Sequence, residues 1–134
     1  MLDIARTLLE LGKGLFGLRG ELHKARRDRR ERLAVYFSEL AELIESVSAS
    51  LRLNRYPHGS CAQLHTLASL MKKTVKGIVT EEEAQACQDR LMRVWEIEQL
   101  FADLQGLPEE KAAKKFATLD QAAGYFRASP RTCG

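Results

Sequence analysis

His58, Cys61 and His65 carry the spacing H-x-x-C-x-x-x-H. Cys61 and His65 lie four apart, so on a helix they share a face. With Cys87 as a fourth donor, a tetrahedral zinc site can be drawn, because zinc takes thiolate and imidazole ligands. The paired spacings of structural zinc sites are missing, however. Cys61 and Cys87 also fall on apolar stripes, where a small buried thiol is common. The reading is therefore no metal and no cofactor. The same residues fall short of a Cys/His nucleophile, since no third side chain stands out to orient the base. There is no P-loop, GxGxxG, GxSxG or HExxH, and no Glu-x-x-His of the kind a di-iron bundle needs. No catalytic residue is assigned, and the chain is read as non-enzymatic.

Charge offers more. Seven basic residues stand against three acidic ones between Arg19 and Arg32, and nine acidic against two basic between Glu81 and Glu110. Arg26, Arg27, Arg29 and Arg30 can grip an acidic protein, the phosphates of a membrane surface, or nucleic acid. The plainer reading is a solvated helix face, because Arg27–Glu31 and Asp28–Arg32 are spaced to neutralise each other. No aromatic residues interleave the arginines, which disfavours single-strand stacking. Glu98 is the other anomaly. It sits on an apolar stripe one turn from Trp95, Phe101 and Ala102, and is read as a candidate buried carboxylate needing a partner, or as the point where that face opens to solvent.

The elements that must position these groups are all helical. Leu2, Ile4, Ala5, Leu8, Leu9, Leu11, Leu15, Phe16 and Leu18 form one face of a wheel at about 100° per residue. Gly12, Gly14, Gly17 and Gly20 weaken that helix, each by about 1 kcal/mol. It needs a surface to lie on, and Leu8, Leu11, Leu15 and Phe16 are its candidate contact residues. A long helix is expected over 20–53, from Leu33, Phe37, Leu40, Ile44, Val47 and Leu51. The segment Asn54-Arg55-Tyr56-Pro57-His58-Gly59 ends it. A third helix over about 60–77 follows. Thr80 to Glu83 reads as a capping box for a fourth, reaching about Gln105. Short helices over 108–116 and 118–128 close the pattern. At 1.5 Å per residue the second helix is about 50 Å long, against about 27 and 37 Å for the next two. Its arginine-rich start should therefore overhang as a stalk.

The expected fold is all-α: an antiparallel helical bundle with a three-helix core, short C-terminal helices and an amphipathic N-terminal helix. The division is 1–19 for that helix, 20–128 for the bundle and 129–134 for a flexible tail. The 134 residues suit one core, and 45% hydrophobic residues with a net charge of +3 argue against a disordered chain. Three cysteines with no close pairing read as free thiols of a reducing cytoplasm. No secretory or membrane-spanning segment is read.

The stretch Arg29 to Phe37, the loop Tyr56-Pro57-His58-Gly59-Ser60-Cys61 and the acidic start of the fourth helix together resemble uncharacterised helical domains of cyanobacterial proteins. The Pro-His-Gly-x-Cys loop is the most distinctive part. The resemblance implies one structured helix–helix corner, with Tyr56, His58 and Cys61 as its residues, and no activity or ligand. The functional expectation is a protein-interaction module, self-associating or binding another protein through the N-terminal helix. The alternatives are a peripheral module on an anionic inner-membrane surface, using that helix and the arginines, and nucleic-acid binding, the least favoured.

Overall fold

The structure is a computed structural model that describes residues 3–129. Helix α1 (Ile4–Gly17) opens on Asp3, whose carboxylate accepts from the Arg6 N–H at 2.9 Å and so satisfies one of the orphan donors of the first turn. Most of its apolar face is used: Ile4, Ala5, Leu8, Leu9, Leu11 and Leu15 are buried. They pack on α8 (Glu109–Ala128), which lies between α1 and α3 (Arg27–Arg52). Asp3 pairs with Lys115, and Gly12 approaches Ala122 and Tyr125, so α1 and α8 run parallel. Ion pairs Arg52–Asp120 and Glu45–Arg127 set α8 antiparallel to α3. The outer elements are α4 (His58–Ala68) against α3, and α6 (Glu81–Met92) against α1, α4 and the short α5 (Met71–Val75). Among the described residues no strand forms, and no helix is long and apolar enough to cross a membrane.

The all-α bundle agrees with the sequence pattern; its arrangement does not. The N-terminal helix is not an appendage but one wall of the core. Leu8, Leu11 and Leu15 are therefore unavailable for docking, and Phe16 is half-buried, edge-on to Tyr125 at 5.5 Å. The C-terminal region is not a pair of short helices but a single helix of 20 residues at the centre. Its alanine-rich sequence favours helix throughout. Thr118, where a second short helix was expected to begin, instead donates its hydroxyl to the Lys114 carbonyl at 2.8 Å within the helix. Ser129, assigned to the tail, is buried, and residues 130–134 lie outside the described residues, as does Cys133.

The stalk is also absent. After α1 the chain makes a short α2 (Arg19–His23), turns at Lys24–Arg26 and only then enters α3. No glycine or proline marks that turn. The reversal lets Leu22 and Leu33 both be buried, whereas a straight helix would carry the chain away from the core. Downstream, the fourth helix tightens into a 3₁₀ segment over Arg93–Glu96 before α7 (Ile97–Leu104). The buried residues there are Leu91, Val94, Ile97 and Leu100, every third position. That is the 3₁₀ period, and it rotates the 3.6-residue stripe out of the core. Trp95 becomes 68% exposed, and Glu98, expected as a buried carboxylate, is exposed.

Candidate interaction surface

Helix α3 and the α4–α5 stretch run antiparallel and leave a trough between them. At its upper end Arg29 reaches across. Its Nη2 donates to the Thr74 carbonyl at 3.1 Å and to the Lys76 carbonyl. These oxygens close α5, where free carbonyls carry partial negative charge. The clamp needs the tight turn after α5, where Gly77 has φ +81°, a conformation glycine adopts without steric cost. It fixes α3 against α5 and brings Arg32 alongside Lys73. Between them, Leu33, Tyr36 and Leu70 form the floor of a cavity of about 490 Å³. Leu70 is 42% exposed. Among the described residues neither Arg32 nor Lys73 has an ion-pair partner.

The trough continues down α3. The Tyr36 hydroxyl donates to the Leu67 carbonyl at 2.5 Å and separates the upper cavity from a lower one of about 590 Å³. Burial holds the Tyr36 hydroxyl well above the usual phenol range, so it stays a donor. The lower cavity has Leu43 and Leu67 in its lining and carries Glu39 and Glu42. One seam thus presents guanidinium and ammonium groups at one end and carboxylates at the other.

The arginines singled out in sequence part company. Arg26 and Arg27 face solvent, Arg27 in a loose pair with Glu31 at 3.3 Å. Arg29 is the clamp. Arg30 is half-buried, its Nη1 3.4 Å from His23 Nε2. Lys73 and Arg32, which complete the cationic end, were not among the candidate residues. Lysines at 72, 73 and 76 were a visible signal, but their meeting with α3 is tertiary.

The Tyr56–His58–Cys61 corner forms. The Tyr56 ring stands edge-on to His58 at 4.5 Å and to Phe101 at 5.7 Å, and Tyr56 hydrogen-bonds Cys61. Burial, then the bond to Cys61, pushes the Tyr56 phenol up to about 12. Burial likewise raises the Cys61 and Cys87 thiols, which keeps both protonated and unreactive near neutrality. His65 is exposed on α4 and Cys87 is buried on α6. Among the described residues no three His, Cys, Asp or Glu side chains are grouped to hold a metal ion.

No family model, no curated protein and no solved structure matches the chain.

Proposed function

We propose that this chain is a non-enzymatic protein-interaction module, and that its docking surface is the trough along α3 rather than α1. The supporting observation is the Arg29 clamp, which sets two uncompensated cations, Arg32 and Lys73, over a recessed apolar floor. Such a site suits a protein segment that presents a carboxylate beside an apolar side chain: the apolar group fills the cavity and the carboxylate meets the rim. A membrane reading would need a cluster of protruding apolar groups, and of the three floor residues Leu33 and Tyr36 are buried and Leu70 alone is exposed. A single-strand nucleic-acid reading would need bases to stack, and Tyr36, the ring that lines the upper cavity, is buried with its hydroxyl tied to Leu67.

The test uses a fluorescein-labelled peptide alternating Glu with Leu as the probe. Binding to the full chain should weaken as salt shortens the Debye length, and ~10-fold in R32E/K73E. Tighter binding of phosphatidylserine vesicles, or of single- or double-stranded DNA, would replace this reading with the membrane or nucleic-acid one. A chain that binds neither the peptide nor itself overturns it.

A further inference from the structure

The two walls of the trough are ladders in register. Arg29 on α3 donates to the Lys76 carbonyl, which fixes their antiparallel alignment. Counted inward from that bond, three residues on each side bring Arg32 opposite Lys73, and six bring Val35 opposite Leu70. Ten bring Glu39 opposite Thr66, and thirteen bring Glu42 opposite Gln63. The cavities agree: the first pair lines the upper one and the last two pairs line the lower. All of these residues are exposed, Val35 to 58%. Spacings of three, four and three keep each wall's set within about 80° of helix arc, so each set is one face. From top to bottom the rungs are a pair of cations, a pair of apolar groups, and two rungs that carry carboxylates. Arg29 is spent on its carbonyls and adds no rung. Asp28, one turn above Arg32, lines a separate cavity, where Lys24, Arg26, Arg29 and Arg32 outnumber it and Glu21. Glu45 is spent on Arg127 of α8.

We infer that the occupant of the trough is an amphipathic α-helix of another protein, its docking face acidic at one end, apolar in the middle and basic at the other end. The inference rests on the trough being a docking surface and names the conformation and charge order of its partner. Backbone chemistry selects a helix over a strand. Both walls are helices whose interior N–H and C=O groups pair within the helix, and the Leu67 carbonyl is taken by Tyr36. An extended peptide would find no row of backbone partners there, whereas a helix satisfies its own. The groove between two antiparallel helices also receives the ridges of a third. Charge order follows from the rungs. Along α3, Arg32 precedes Glu39 by about 10.5 Å and Glu42 by about 15 Å. On a partner helix those spans are about seven and ten residues, and the apolar rung falls three or four residues after the carboxylate. The recognised face therefore reads E-x-x-L-L-x-x-K-x-x-K. It fits in either chain direction, because one wall runs each way.

Fluorescence anisotropy on the full chain tests it, with fluorescein-labelled peptides that carry this pattern on an alanine background. The E-x-x-L-L-x-x-K-x-x-K peptide should bind ~10-fold or more tightly than its all-Glu or all-Lys counterpart, each of which meets one end of the trough with like charge. E39K/E42K should lose that preference and gain affinity for the all-Glu peptide. R32E/K73E should instead gain affinity for the all-Lys peptide. Misfolding cannot produce such opposite gains, and all four substituted residues are exposed. A proline at the centre of the peptide breaks its helix and should abolish binding. A mixed-charge peptide with no advantage, variants that do not exchange preference, or a proline peptide that binds equally well overturns the proposal. If the alternating Glu/Leu peptide still binds in an Arg32-dependent manner, the docking surface stands and the helical partner falls. If the chain binds neither peptide nor itself, both fall.

Discussion

Replacing Gly12 with alanine tests whether α1 is a wall of the core. A Cβ at Gly12 would stand 3.1 Å from the Tyr125 Cβ, 3.2 Å from the Ala122 carbonyl oxygen and 3.7 Å from a Phe126 ring carbon. The first two atoms sit on or next to the α8 backbone and cannot rotate away, so α1 and α8 must separate by some tenths of an ångström. Overpacking of this kind costs about 1–3 kcal/mol. Against it stands the gain in helix propensity from glycine to alanine, about 1 kcal/mol. Gly14, one half-turn on, is the control: nothing lies within 4 Å of its Cβ position, so Gly14→Ala keeps the gain and pays no crowding. In the difference between the two variants, propensity cancels. Urea unfolding followed by circular dichroism should place Gly12→Ala about 1–3 kcal/mol below Gly14→Ala, the crowding term alone. For a chain of this size that is a melting difference of about 4–12 °C. Equal stability of the two variants would refute the close approach, and with it the claim that α1 is spent on the core.

Three further outcomes are expected. Arg29→Met keeps the aliphatic stem but removes the donors to Thr74 and Lys76; it should cost about 1–3 kcal/mol and speed amide exchange over residues 74–79, and unchanged exchange there would argue against the clamp. Thr80→Ala removes the acceptor for the Glu83 N–H, bonded at 3.1 Å, and should lower unfolding free energy by about 1 kcal/mol, with no loss speaking against the capping box. The bond from Arg127, which donates to both carboxylate oxygens, holds Glu45 below its usual value of 4.5. A carboxyl depressed in the folded state stabilises the fold above that value and loses the contribution as pH falls through the lowered one. Arg127→Met should therefore narrow its gap to the wild type on acidification below about pH 4.5; a gap that widens instead contradicts the assignment.

The functional reading moves with the packing. A free amphipathic helix would make the chain's first residues its contact surface. A consumed one leaves the surface to whatever the remaining helices set side by side, and at the trough that is a pair of oppositely charged ends on one apolar floor.

Local chemistry alone decided a good deal. The face of α1 was legible because side-chain type alone, repeated over about four turns, decides which way a helix is greasy; Thr80 with Glu83, and the halt at Pro57, were legible because a cap and a ring act within one turn. The side of the core that each face meets was not. Whether α1 lies against α8 or a foreign surface depends on atoms more than a hundred residues away, such as Lys115 at Asp3. The turn at Lys24–Arg26 has no local breaker and exists because burying Leu22 and Leu33 together outweighs continuing the helix. The single α8 runs through the break expected between 116 and 118, and the 3₁₀ segment shifts the period and turns Trp95 and Glu98 outward. The cationic end needed Arg29 on one helix and the carbonyls of Thr74 and Lys76 on another. No window of sequence holds both, because burial acts through space while a one-dimensional pattern records only neighbours along the chain.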